Sequence, residues 1–144
     1  MATEKFKIRK EGDGYQIWDP VRKKWVALTP EEKVRQWLIV ILNEACQVPL
    51  SLMAVEKGLV VNDLQKRFDL MLYNRDGNPV LIAECKAPEV ALTEAVCQQI
   101  AVYNIQFKTR YLLITNGEKL TLFEWESSSE KYVPIPFTGQ NLMD

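Results

Sequence analysis

The hydrophobic pattern of this chain changes its period along the sequence, and each change indicates a different kind of element. Apolar residues that alternate with polar ones are typical of strands, whereas apolar residues three or four apart are typical of helices. Up to Leu28 the chain shows short alternating stretches that are broken by Gly12, Gly14 and Asp19-Pro20. This segment therefore predicts a small antiparallel β cap over residues 1–28.

A first helix is predicted from Pro30 to near Cys46. Thr29 precedes it as an N-cap residue, and Glu32 follows at the spacing of a capping box. At about 100° per residue, Glu31 falls toward the apolar face of the helix and Glu32 falls well away from it. If this helix supplies an acid to a site on the sheet, Glu31 is the better candidate. The simpler alternative is that both acids only favour the helix dipole.

A β-hairpin is predicted around Asp76-Gly77, because this pair supplies the positive φ angles of a tight two-residue turn. With the turn there, Asp69 on the first arm lies directly opposite Glu84 on the second. Lys86 is two residues past Glu84, so its side chain leaves the same face. Opposed Cβ atoms lie about 4.5–5.5 Å apart, which lets two carboxylates bind one divalent cation.

The second arm of this hairpin, residues 80–86, carries apolar residues on both faces. This pattern indicates a strand buried on both sides, where charged residues cost free energy unless they are paired or bind a metal. An acid followed by Glu-X-Lys is a minimal set of groups for metal-assisted phosphodiester hydrolysis. The two carboxylates would hold Mg²⁺, and the lysine would orient or activate the attacking water.

The rest of the pattern completes one domain. A strand is predicted over residues 50–57 and ended by Gly58, a second helix over residues 92–106, and two strands over residues 111–115 and 119–125. A strand, a helix and a strand in succession predict parallel pairing of the two strands. We therefore expect a single α/β domain with a mixed β-sheet flanked by helices. Its core would span residues 29–126, followed by a C-terminal loop and tail at 127–144.

Two polar residues of the second helix, Gln99 and Tyr103, are four apart and project side by side. Their neighbours at helical spacing are apolar. A buried tyrosine bonded to the glutamine would explain this pair without any functional role.

Composition narrows the chemistry. The chain has 144 residues and no histidine, which excludes Ser-His triads, Cys-His dyads and imidazole zinc sites. Cys46, Cys85 and Cys97 lack metal-finger spacing and are expected to be reduced packing residues. The longest aliphatic run is too short for a bilayer, and Met1–Lys5 lacks the apolar core of a signal peptide. We therefore expect a cytoplasmic protein without a membrane role. A net charge of −1 argues weakly against a dedicated nucleic-acid clamp.

Five motifs then occur in a fixed order, and together they are far more specific than any one of them. They are Pro30 to Gln36, Arg67-Phe68-Asp69, Ile82 to Pro88, Gln99-X-X-X-Tyr103 and Thr115-Asn116-Gly117. This set resembles the nuclease domain at the N-terminus of type I restriction enzyme R subunits, a branch of the PD-(D/E)XK superfamily. The resemblance covers roughly Thr29 to Trp125.

The resemblance implies a restriction-endonuclease-like core that uses Mg²⁺, with Mn²⁺ as a substitute, and acts on DNA. It also implies partner subunits of a restriction system or a second copy of the chain. The roles that it implies are Asp69 and Glu84 as metal ligands, Lys86 as the catalytic lysine, Glu31 or Glu32 as the acid that supports the metal water, and Gln99 and Tyr103 in positioning DNA.

Three hypotheses follow for function. The first is a Mg²⁺-dependent DNA endonuclease, expected to lack the ATPase motor because the sequence contains no GxxxxGK[ST] phosphate loop. The alternative is a catalytically weak or inactive nucleic-acid-binding or assembly module on the same fold. The third is a structural domain in which Asp69, Glu84 and Lys86 form only a buried ion-pair cluster.

Overall fold

The computed structural model describes residues 5–143. In these residues a three-stranded antiparallel sheet precedes a larger sheet. The smaller sheet lies in the segment for which the sequence predicts an antiparallel β cap. The strands of the small sheet are β1 (Ile8–Glu11), β2 (Gly14–Asp19) and β3 (Lys24–Ala27). Residues 1–4, which are most of the N-terminal segment expected to lack a signal peptide, lie outside the described part.

The larger sheet has six strands in the order β4-β5-β6-β7-β8-β9. Its strands are β4 (Met53–Val61), β5 (Leu64–Tyr73), β6 (Pro79–Cys85), β7 (Tyr111–Thr115), β8 (Leu120–Glu126) and β9 (Lys131–Ile135). Strands β6 and β7 pair in parallel and every other neighbouring pair is antiparallel. The predicted mixed sheet and the predicted parallel crossover are therefore confirmed.

Two helices cover this sheet and define two apolar layers. Helix α1 (Pro30–Glu44) packs with the layer that contains Leu81 and Ala83, whereas helix α2 (Glu94–Tyr103) packs with the layer that contains Ile82. Strand β6 is therefore buried on both faces, as its apolar pattern predicts. Within the described residues, neither helix is long and apolar enough to span a bilayer.

Helix α1 begins where the sequence predicts, but its capping box is only half formed. The Thr29 hydroxyl accepts a hydrogen bond from the Glu32 N–H at 3.1 Å, as an N-cap residue does. The Thr29 N–H donates to the Ala27 carbonyl. The Glu32 carboxylate instead binds Arg22, at 2.7 Å. A cation from the β cap has thus replaced the local hydrogen bond.

The β5–β6 hairpin has the predicted register but not the predicted turn. Leu70 pairs with Ala83, which places Asp69 and Glu84 one residue beyond this pair. The turn, however, is longer than two residues: the Asn74 side chain accepts from the Asp76 and Asn78 N–H groups, and only Gly77 has a positive φ, of 84°. A bulge between Leu72 and Tyr73 compensates for the extra loop residue and restores the register.

A second hairpin, between β4 and β5, corrects the prediction that Gly58 ends a strand. Strand β4 continues through Gly58 to Val61, which pairs with Leu64. Asn62 and Asp63 form the two-residue turn with φ angles of 50° and 66°. Both residue types tolerate the left-handed region, so this pair supplies the turn.

The predicted C-terminal loop and tail at 127–144 contains one strand that the sequence pattern did not predict, whereas residues 127–130 form a turn between strands. Strand β9 pairs with β8, and Tyr132 is buried. Leu142 is fully buried in the layer that contains α1. Pro134 is compatible with β9 because an edge strand can lack one backbone donor. The three cysteines are free and buried, as predicted.

Candidate functional site

The candidate site lies where the β5–β6 ladder ends. Beyond the Leu70–Ala83 pair, the Asp69 Oδ2 atom accepts a hydrogen bond from the Cys85 N–H at 2.7 Å. The Cys85 N–H is thus bonded to a side-chain carboxylate and not to a backbone carbonyl of β5. The side chain of Asp69 is 34% exposed, so one side of it remains open to solvent.

Glu84 is more deeply buried, with 13% of its side chain exposed. Its Oε2 atom accepts from the Lys66 ammonium at 2.8 Å and from the Asn104 amide at 2.7 Å. Its Oε1 atom has a looser contact, with Lys86 Nζ at 3.9 Å. One oxygen of Glu84 is therefore fixed by short hydrogen bonds, while the other faces a half-exposed lysine.

The two acids are in contact with opposite helices. Asp69 Oδ1 lies 3.4 Å from an Arg35 nitrogen on α1, whereas Glu84 is bonded to Asn104 at the end of α2. A strong charge-assisted hydrogen bond measures about 2.7–2.9 Å. The Arg35 contact is longer than that, so Oδ1 of Asp69 and Oε1 of Glu84 are the two least engaged carboxylate oxygens.

Arg35 belongs to a chain of alternating charges that joins Asp69 to the β cap. Its guanidinium contacts Glu32 at 3.3 Å and Glu56 at 3.6 Å, and Glu32 in turn binds Arg22. Arg22 also binds Asp19, whose side chain is fully buried. Burial lowers the pKa of Arg22, but its hydrogen bonds to the two acids raise it more, so Arg22 stays charged.

Residues 30–137 match the family model described as "Type I restriction enzyme R protein N terminus (HSDR_N)". The chain belongs to this family. The resemblance inferred from the five motifs is therefore confirmed, and it supports a nuclease-like role.

Other comparisons add little to the family match. No curated protein gives a significant match to the sequence. Among solved structures, the chain is similar to the crystal structure of a DUF820 protein from Anabaena variabilis that is proposed to be a nuclease. That similarity covers 89% of this chain and 85% of that chain, with 12% sequence identity and a TM-score of 0.46.

The structure reverses the predicted orientation of the two helix acids. Glu31 is exposed, whereas Glu32 is buried and bonded to Arg22 and Gln36. Helical periodicity placed Glu31 toward the core and Glu32 toward solvent, because it depends only on the apolar residues of α1. The partner that buries Glu32 comes from the β cap, and helical periodicity contains no information about it.

The alternative in which a buried Tyr103 is bonded to Gln99 is also wrong. Both residues are exposed, and 68% of Tyr103 is accessible to solvent. The buried residues of α2 are instead Cys97 and Ala101, with Asn104 just after the helix. Because Gln99 and Tyr103 face solvent, a packing role does not explain them.

Three residues of the site were not predicted from the sequence: Lys66, Asn104 and Arg35. Lys66 lies directly before the motif Arg67-Phe68-Asp69 and belongs to none of the five motifs. Asn104 ends a helix, a position where asparagine is common for conformational reasons alone. Arg35 lies within the first motif, but no role was predicted for it, because arginine on a helix is ordinarily a surface residue.

The donor atoms of this site suit a hard divalent cation. In the part of the chain that the structure describes, no group of three His, Cys, Asp or Glu residues could hold a metal. Asp69 and Glu84 carry carboxylate oxygens, and Mg²⁺ commonly takes one or two carboxylates from a protein while water and phosphate complete its shell. Burial, and secondarily the charge of Asp69, raises the pKa of the Cys85 thiol, so this cysteine is no nucleophile at neutral pH.

The buried end of the charge chain gives a stability prediction. Asp19 accepts hydrogen bonds from the Val21 and Arg22 N–H groups and from the Arg22 side chain. Asp19→Ala should lower the free energy of unfolding by about 3–5 kcal/mol, because it removes one of the two acids that bind Arg22 and leaves the Val21 and Arg22 N–H groups without their acceptor. Urea denaturation measures this change. Asp13→Ala, in an exposed turn of the same cap, should change it by less than about 0.5 kcal/mol; equal losses would contradict the assignment.

Proposed function

We propose that this chain is a Mg²⁺-dependent DNA endonuclease that hydrolyses phosphodiester bonds at the end of the β5–β6 hairpin. The observation that carries this proposal is the register of the hairpin. It brings Asp69, Glu84 and Lys86 to one end of the ladder, with Lys86 Nζ 3.9 Å from Glu84 Oε1. Membership of the R-protein N-terminal family supports the same activity.

Asp69 and Glu84 would hold the metal through Oδ1 and Oε1, the two oxygens of these acids that have no short hydrogen bond. Because Asp69 contacts α1 and Glu84 contacts the end of α2, Asp69 would have to leave Arg35 to share one ion with Glu84. Mn²⁺ would substitute for Mg²⁺ because both ions accept carboxylate ligands. When bound, the ion polarises the scissile phosphate and stabilises its developing charge. The Cys85 N–H keeps Asp69 Oδ2 in place, whereas Oδ1 has only the long contact with Arg35 of α1.

Lys86 would hold the attacking water or a phosphate oxygen. Its backbone N–H donates to the Thr115 carbonyl at 2.8 Å, which anchors the residue to β7. Its side chain is 38% exposed and can therefore reach substrate. A lysine that approaches within hydrogen-bond distance of the water can orient it, or can accept its proton in the neutral form.

The remaining roles follow from exposure. Glu31 is exposed at the start of α1, so we assign it as the acid that supports the metal water. Glu32 supports the site indirectly, because it is buried and bonds to Arg35 and Gln36. Gln99 and Tyr103 are exposed on α2, where they would contact and position DNA. Partner subunits of a restriction system, or a second copy of the chain, would bring the site to its target.

A binding or assembly module with little turnover is the second candidate. One specific observation favours it: each acid already has a cationic partner in the protein, Arg35 for Asp69 and Lys66 for Glu84. A metal ion would have to compete with the charge of these side chains.

Incubation of the chain with supercoiled plasmid separates these candidates. We expect nicked circles with Mg²⁺ or Mn²⁺ and none with EDTA. Glu84→Gln purified in parallel is the control, because a contaminating nuclease would nick in both preparations. A plasmid that is retarded in a gel but stays supercoiled would favour the binding module. A chain that neither nicks nor binds plasmid would leave only the structural ion-pair cluster.

A further inference from the structure

Asn104 is a fully buried polar residue next to the candidate site. It is 0% exposed, it follows the last residue of α2, and its amide group makes three hydrogen bonds. The amide nitrogen donates to Glu84 Oε2 at 2.7 Å and to the Ile100 carbonyl at 2.9 Å, and the amide oxygen accepts from Lys66 Nζ at 2.9 Å. A buried amide with all these bonds has one orientation, because any rotation leaves polar atoms unpaired.

Lys66 closes a triangle with this amide and Glu84. Its ammonium lies 2.8 Å from Glu84 Oε2 and 5.1 Å from the centre of the Phe68 ring. The ring and the two polar partners hold the lysine above strand β5. Asn104 and Lys66 both donate hydrogen bonds to Oε2 of Glu84. The other oxygen, Oε1, has no short hydrogen bond and lies 3.9 Å from Lys86 Nζ.

We propose that Asn104 and Lys66 are positioning residues for Glu84, which fix one carboxylate oxygen so that the other is presented to the divalent ion. This inference rests on the proposed function and extends it to two residues that the family motifs do not include. A carboxylate that binds a metal is commonly oriented by hydrogen bonds from its surroundings, and the loss of such a partner costs about 10- to 100-fold in metal affinity or activity.

The decisive substitution is Asn104→Asp, which preserves the shape of the side chain. It replaces the donor to Glu84 by a carboxylate oxygen, so the two acids repel each other. We expect kcat for plasmid nicking and the affinity for Mn²⁺ each to fall roughly 10- to 100-fold, with little change in KM for DNA. Asn104→Ala should have the same direction of effect, and thermal unfolding of each variant separates it from a loss of fold.

Lys66 is tested by Lys66→Met, which keeps the aliphatic stem and removes the charge. Its kcat should fall roughly 10-fold or more, and Lys66→Arg should recover part of the loss because it restores a cationic donor. Lys57→Met is the matched control, since Lys57 is an exposed lysine on the adjacent strand β4. It should nick like the wild type.

The outcomes distinguish this inference from the proposed function. If the wild type nicks and the variants at 104 and 66 lose only thermal stability, with kcat and Mn²⁺ affinity unchanged, the two residues are structural and the inference is wrong. If the wild type neither binds Mn²⁺ nor nicks, the proposed function is wrong and the inference falls with it.

Discussion

Glu84→Gln is expected to reduce plasmid nicking by on the order of 10³-fold, and to abolish detectable Mn²⁺ binding. The amide has the size of the carboxylate but lacks the negative charge that holds a divalent ion. The fold should survive, because the amide oxygen can still accept the hydrogen bonds that Lys66 and Asn104 donate to Oε2. Nicking rates at saturating Mn²⁺ and calorimetric Mn²⁺ titration measure the two effects.

Glu124→Gln is the matched control for this experiment. Glu124 lies on β8 and pairs with Arg110 at the surface, so its neutralisation removes the same charge away from the candidate site. It should leave both Mn²⁺ affinity and nicking unchanged. A Glu84→Gln chain that binds Mn²⁺ like the wild type would show that Glu84 is no ligand.

Lys86→Met is expected to reduce nicking by roughly 10²- to 10⁴-fold while Mn²⁺ binding persists. The lysine is proposed to act on the water or phosphate and not on the metal, so its removal affects the rate and not the ligand set. Methionine keeps most of the aliphatic stem, and the backbone bond from residue 86 to Thr115 does not depend on the side chain.

Mn²⁺ titrations of Lys86→Met and Glu84→Gln test whether Lys86 acts on the reaction and Glu84 on the metal. Lys131→Met, on the exposed edge strand β9, controls for the loss of one positive charge that could attract DNA. Equal nicking by Lys86→Met and the wild type would remove Lys86 from the mechanism. Loss of Mn²⁺ binding in Lys86→Met would mean that it shapes the metal site instead.

The cationic neighbours of Asp69 and Glu84 explain how the folded protein tolerates two carboxylates at the end of a buried strand. Uncompensated carboxylates at the end of a buried strand would cost several kcal/mol. The positive charges of Arg35 and Lys66 offset that cost. Their contacts differ in length, because Arg35 lies 3.4 Å from Asp69, whereas Lys66 and Asn104 bind Glu84 at 2.8 and 2.7 Å. Asp69 is therefore the acid that can change its partner more easily.

Local sequence determined the elements and the register that define the site. Thr29-Pro30 began α1 because a hydroxyl cap and a proline suit only the first turn of a helix. The apolar pattern of residues 80–85 required burial on both faces, and the order of strand, helix and strand required parallel pairing. The pairing of Leu70 with Ala83 was predicted correctly although the turn was not, because the bulge at Leu72 and Tyr73 compensated for the longer loop.

The tertiary structure alone decided which polar groups surround the acids. Periodicity reports where apolar side chains lie, but the burial of a charged or amide group depends on a partner that is distant in sequence. Glu32 is buried because Arg22 arrives from the β cap, and Asn104 reaches Glu84 because α2 ends over strand β6. Hydrogen bonds of this kind join residues that are distant in sequence and that only the packed layers bring together, so no local pattern of residues indicates them.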